Sequence, residues 1–191
     1  MTGRTRTVTD LWVFAYGSLM WRPGFAYLEV VPAKLFGAHR ALCVWSVAHR
    51  GTHQRPGLVL GLDRGGSCRG LAYRVGSESG DSVLAYLRKR ELVTNVYLEV
   101  RRPVVLERPT REVAEALLYV VDRRHPQYAG SLELAEALDV VRASHGPSGP
   151  NPEYVINTAD HLRSMGIRDA GLEWLARELR SGARPEGQPG G

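Results

Sequence analysis

The stretch Leu11-Trp12-Val13-Phe14-Ala15, running directly into Tyr16-Gly17-Ser18-Leu19-Met20, decides how this chain is read. Its first half is a short apolar run rich in residues that favour strands. Its second half breaks that run with a glycine and a small hydroxyl residue. A strand that ends this way aims consecutive peptide N–H groups into one concavity, which suits a carboxylate or an oxyanion. Gly17 lets the backbone come close to a ligand, Ser18 adds a hydroxyl, and Tyr16 adds an aromatic wall with a polar tip. The same residues also fit a plain strand-ending turn, and the pattern alone does not choose.

Working outward, further apolar runs read as strands: Ala41–Trp45, Leu58–Leu62, Gly70–Val75, Val96–Val100, Val104–Leu106 and Ala116–Val121. Arg55-Pro56-Gly57 and Gly65-Gly66 punctuate them. Many short strands at this spacing predict an antiparallel or mixed sheet of the kind that closes into a barrel. Helical spacing enters at 81–91, where Leu84, Leu87 and Glu91 fall on one face and Asp81 is placed to cap. The last third is helical. Leu134, Leu138 and Val141 align after Ser131, Asn151-Pro152 reads as a cap followed by proline, and Asp169 caps a final helix carrying Leu172, Leu175, Ala176 and Leu179.

With 191 residues, 43% hydrophobic and 24% charged, the chain has the composition of one ordinary globular domain. The spans expected are a flexible N-terminus over 1–10, the domain over 11–180, and a disordered tail over 181–191 rich in glycine and proline. No apolar run approaches the roughly 20 residues of a membrane helix, and no signal-length run precedes the first strand. Two cysteines without metal-like spacing, Cys43 and Cys68, read as buried thiols and predict a cytoplasmic protein. A net charge of +5, with clusters at Arg88-Lys89-Arg90, Arg101-Arg102 and Arg123-Arg124, raises nucleic-acid binding. The clusters lack interleaved aromatics, so a solvated surface or an anionic small substrate is the better expectation.

Glu91 extends the inward face of its helix. A carboxylate there loses water, which raises its pKa and suits it to take and return a proton. Pairing with a neighbour such as Arg88, or fraying of the helix end, fits the spacing equally well. His49 and His53 stand four apart, but Arg50-Gly51-Thr52 between them breaks a helix, so a loop is expected and no metal site.

Trp12–Pro23 resembles the opening motif of the ChaC family, the glutathione-specific gamma-glutamylcyclotransferases. Further matches follow in the family's order: His49–Thr52 with Pro56-Gly57, Gly70–Arg74, Arg90-Glu91, Tyr128 in a loop of proline, tyrosine and glycine, and Gly146–Tyr154. The resemblance covers about residues 11–180. It implies an α+β fold with a small barrel and surrounding helices, a substrate cradle at Ala15, Tyr16, Gly17, Ser18, Leu19 and Met20, and Glu91 as the single catalytic acid/base. It also implies glutathione as substrate and no metal or cofactor. Tyr128 reads either as a lid over the substrate or as packing at a loop base. A monomer or weak dimer is expected, with no nucleic-acid or membrane partner. Two departures stand out: Ala15 replaces a glycine, and Leu92-Val93-Thr94-Asn95 replaces a lysine and paired glycines beside Glu91.

Overall fold

The computed structural model describes residues 9–182, so the expected terminal segments lie outside it over 1–8 and 183–191. Two compact units form, one from residues up to Ala41 plus Gly61–Pro126, the other from Leu42–Leu60 plus Gln127 onward.

In the first unit, β1 (Leu11–Ala15) pairs antiparallel with β3 (Gly57–Val75) and parallel with β5 (Glu112–Val121). β5 pairs with β4 (Tyr97–Leu106), which pairs with β2 (Glu29–Ser46), and the order β1-β3-β2-β4-β5 closes a barrel. Alternate residues fill one face, as the two-residue strand period requires. Phe14, Val31, Ala33, Leu35, Ala72, Val104, Leu106, Ala114, Ala116 and Leu118 form this core. The intervening residues of β5, Leu117 and Tyr119, are buried as well. Burial on both sides of β5 means that its other face is covered too.

The strands are longer than the apolar runs suggested. Ala41–Trp45 is the end of an 18-residue strand, and Leu58–Leu62 and Gly70–Val75 belong to one 19-residue strand. The segment from Val96 through Leu106 holds a single strand, Tyr97–Leu106, despite Pro103. α1 (Gly80–Glu91) buries Val83 and Leu87, with Leu84 half-buried. Asp81 lies in its first turn, whereas Ser79 holds the capping position without a side-chain hydrogen bond.

The second unit holds α2 (Leu134–Ala143), a two-stranded ribbon of β6 (His145–Gly146) and β7 (Gly149–Pro150), α3 (Asn151–Ser164) and α4 (Ala170–Ser181). The Asp169 carboxylate accepts from the Leu172 N–H at 3.1 Å, so this cap forms as expected. Asn151 is instead the first helical residue, with Pro150 at the cap. Its fully buried side chain is spent elsewhere, accepting from the Leu58 N–H at 2.7 Å and donating to the Leu58 carbonyl at 2.8 Å.

Around Asn151 the backbone is packed without room for side chains. A Cβ on Gly51 would overlap the Gly57 nitrogen, one on Gly57 the Arg50 carbonyl, and one on Gly146 the His49 carbonyl. The Ser148 N–H donates to the His49 carbonyl at 2.9 Å, and the Ser144 hydroxyl donates to the Pro56 carbonyl at 2.7 Å. The Arg50 guanidinium lies over the Tyr154 ring. The segments His49–Gly57 and Gly146–Tyr154 thus meet as a glycine clasp. His49 and His53 fall in an irregular segment, with the His49 imidazole 3.3 Å from the Ser148 hydroxyl.

Candidate active site

β1 ends at Ala15, fully buried, and the chain enters a single 3-10 turn at Ser18–Met20. The Met20 N–H donates to the Gly17 carbonyl at 2.9 Å, and the Arg22 N–H to the Ser18 carbonyl at 2.9 Å. The first N–H groups of such a turn find no acceptor within it. Leu19 and Met20 are buried, Tyr16 and Gly17 half-buried, and Ser18 exposed.

Two side chains anchor the turn. The Tyr73 hydroxyl donates to the Met20 carbonyl at 2.8 Å, and burial beside Tyr27 pushes that phenol up to about 12, so it stays a donor. Arg40 Nε donates to the Tyr16 carbonyl at 2.7 Å. Downstream, the Phe25 ring meets both Tyr73 and Tyr86 edge-on. At Gly24 the φ of +74° and the Tyr86 hydroxyl against its Cα both exclude a side chain.

Glu91 closes α1. It stands one turn beyond Leu87 on the face that Val83 and Leu87 bury, and its side chain keeps only 20% exposure. Burial pushes the carboxyl above its ordinary range, while the Arg90 charge and hydrogen bond pull it partly back. The inward reading of Glu91 therefore describes its place better than fraying. The pairing partner also differs from the one the spacing offered: Arg88 is engaged by Glu99 at 2.7 Å, and Arg90 Nε contacts Glu91 Oε1 at 3.2 Å.

Arg90 reaches both halves of the site. Its Nη2 donates to the Ser18 hydroxyl at 3.0 Å, and its Nη1 to the Arg22 carbonyl at 2.6 Å and the Tyr86 hydroxyl at 2.9 Å. Residues 18 and 91 are thus brought together through one guanidinium. From β5, the Tyr119 hydroxyl donates to Glu99 at 3.0 Å. Burial raises the Tyr119 pKa first, with the charges of Glu99 and Glu91 adding to it, so the phenol is neutral beside Glu91. Tyr128 belongs to the second unit, where it bridges Val44.

Tyr73, Tyr86, Glu99 and Tyr119 were not among the residues picked from sequence. Glu99 and Tyr119 stand directly opposite each other across β4 and β5, a pairing that only the register reveals. Among the described residues no group of three or more histidine, cysteine, aspartate or glutamate side chains could hold a metal, and no helix is long and apolar enough to cross a membrane.

A half-buried carboxylate linked to a 3-10 turn suits a small-molecule ligand, and the chain's family follows from comparison with known proteins. The family model for ChaC-like proteins matches residues 11–181. The chain belongs to the ChaC-like family. It is 35% identical over 165 residues to the glutathione-specific gamma-glutamylcyclotransferase of Escherichia coli K12, covering 86% of this chain and 71% of that protein. The human glutathione-specific gamma-glutamylcyclotransferase 1 is 34% identical over 158 residues, covering 82% and 71%. A crystal structure of a glutathione-specific gamma-glutamyl cyclotransferase from yeast superimposes with a TM-score of 0.80 at 24% identity, over 91% of this chain and 96% of that one. It shares the fold, as the barrel and helices expected from the sequence require. Within this ChaC-like chain the cradle turn and Glu91 occupy the first unit, and the glycine clasp occupies the second.

Proposed function

We propose that this protein is a gamma-glutamylcyclotransferase that cleaves glutathione to 5-oxoproline and Cys-Gly. The observation that carries the reading is a half-buried carboxylate of raised pKa, Glu91, one guanidinium away from Ser18 in the Tyr16–Met20 turn. The names of the E. coli and human relatives support the same reaction and the same substrate.

The α-amine of the glutamyl group is the nucleophile. Its nitrogen attacks the γ-carbonyl carbon, a C–N bond forms and closes the five-membered ring, and the C–N bond to cysteine breaks. Two protons leave the α-ammonium over the cycle and two arrive on the departing nitrogen. Glu91 carries them, acting as base towards the first nitrogen and acid towards the second. Ala15, Tyr16, Gly17, Ser18, Leu19 and Met20 line the cradle that holds the glutamyl end in the ring-closing conformer, with backbone N–H groups of Tyr16–Leu19 on the carboxylate or developing oxyanion. Folding the substrate this way supplies a large part of the barrier reduction, of order 7–11 kcal/mol in favourable intramolecular cases. Tyr128 is proposed as a lid residue over the bound substrate.

The setting proposed is the cytoplasm, because Cys43 and Cys68 are buried thiols; a monomer or weak dimer is proposed with it. The cationic clusters support a small-molecule enzyme better than a nucleic-acid binder, since Arg88, Arg90, Arg123 and Arg124 each pair with a carboxylate.

A second reading, preference for other gamma-glutamyl amines, rests on the residues after Glu91. Val93 is 65% exposed and Asn95 takes a φ of +55°, so this loop offers an apolar side chain where the family pattern has glycines. Release of 5-oxoproline from glutathione, glutathione disulfide and gamma-glutamyl dipeptides tests both readings. Preference for reduced glutathione is expected, and preference for gamma-glutamyl-alanine would support the second.

A further inference from the structure

One side chain ties the two halves of the proposed site together. Ser18 and Glu91 are 73 positions apart in sequence, and Arg90 contacts both. Its guanidinium presents a planar set of donors to five acceptors in the first unit: the Ser18 hydroxyl, the Arg22 and Pro23 carbonyls, the Tyr86 hydroxyl and the Glu91 carboxylate. Successive residues on a helix do not share a face. Arg90 nonetheless meets its neighbour through Nε, while Nη2 reaches Ser18 in the turn and Nη1 reaches the Arg22 carbonyl and the Tyr86 hydroxyl. The Tyr86 hydroxyl that it engages rests against Gly24, so the link also fixes the segment that follows the turn.

We propose that Arg90 is a positioning residue that locks the Ser18 turn to Glu91, setting the distance between bound glutamyl group and proton carrier. The inference rests on the cyclotransferase reading and adds to it a residue that touches neither nucleophile nor leaving group. A lysine cannot reproduce the link, because an ammonium is a compact point charge without the planar fork. The charges around Glu91 fit the same role. Arg90 is the cation that lowers its pKa, Tyr119 from β5 faces it as a neutral phenol, and Arg88 on the same helix is bound to Glu99 of β4.

The test uses the full-length protein in two measurements. Steady-state 5-oxoproline release from glutathione is followed across pH for wild type, Arg90→Lys, Arg90→Gln and Ser18→Ala. The Glu91 carboxyl is titrated by ¹³C NMR in the free protein, with Arg88→Gln as the charge control. In Arg90→Lys, KM rises about tenfold or more and the acid limb stays in place, since the charge remains while the fork is lost. In Arg90→Gln, KM rises as well, and both the acid limb and the NMR titration of Glu91 move to higher pH. Ser18→Ala, which cuts the link at its other end, raises KM and leaves the titration unmoved, as Arg88→Gln also does. Unchanged KM and unchanged titration in folded Arg90→Gln would overturn the proposal, as would a fall in kcat alone with no shift of pH dependence. Should Arg90→Gln fail to fold, the KM of Arg90→Lys and Ser18→Ala decides the question. Wild-type protein that released no 5-oxoproline would sink the cyclotransferase reading, while the titration would still test the link itself.

Discussion

Two regions of this molecule each join segments far apart in the chain, and they do so by opposite means. The glycine clasp of the second unit binds His49–Gly57 to Gly146–Tyr154 through bare backbone and one fully buried amide, Asn151. The site of the first unit binds the Ser18 turn to Glu91 through a charged, quarter-exposed side chain. Backbone contact without Cβ room tolerates nothing larger than glycine, whereas a long side chain at a wet edge can be replaced at modest cost. The clasp stabilises the fold. The site does the reverse, because it keeps a carboxylate where burial disfavours its charged form.

The comparison is sharpest where a change should separate stability from activity. The largest effect is expected at the reacting group: Glu91→Gln should lower 5-oxoproline release by about 10²–10⁴-fold or more while the protein stays folded. Near-normal turnover would remove Glu91 from the mechanism. At the clasp, Asn151→Ala leaves the buried N–H and carbonyl of Leu58 unpaired, and denaturant unfolding should show a loss of about 2–5 kcal/mol. A loss well below about 1 kcal/mol would mean that the clasp does not hold the fold. Gly146→Ala should act in the same direction by clash with the His49 carbonyl.

A subtler effect follows from the raised pKa of Glu91. The native state holds this proton to higher pH than the unfolded chain does, so its contribution to stability falls as pH rises from the ordinary carboxylate range through the native pKa. Glu91→Gln lacks that fall, and at neutral pH it should melt at or above the wild-type temperature. A clear decrease in melting temperature would place Glu91 among the residues that hold the fold. The smallest effect is expected at Val93. Exchange for serine should change the ratio of kcat/KM for glutathione to that for gamma-glutamyl-alanine by only several-fold, because one exposed apolar contact discriminates weakly.

Much of this was legible in the residues. β1 ends where Gly17 follows its apolar run, and Asp169 caps its helix, because both signals are local. The lengths of β2 and β3 were not legible. The pair Gly65-Gly66 reads as a break in the sequence but takes positive φ inside β3, and Gly37 takes positive φ inside β2. Asn151 looked like a cap because asparagine before proline usually is one, but a demand from Leu58, 93 positions away, claimed its amide. Within the site, the register of α1 pointed to Glu91. No periodicity could point to the reach of Arg90, since a flexible side chain chooses its partners only once the turn and the helix end are in place.

The parallel pairing of β1 with β5 sets a timetable for synthesis. Trp12 and Val13 find their partners Ala116 and Leu117 only after about a hundred further residues have been made. At ribosomal rates that is a wait of roughly 5–20 s. Until then the strand that delivers the cradle can be held by β3 on one side alone. The first strand of the barrel to be made is therefore among the last to be locked, and the nascent barrel stays open along the seam between β1 and β5.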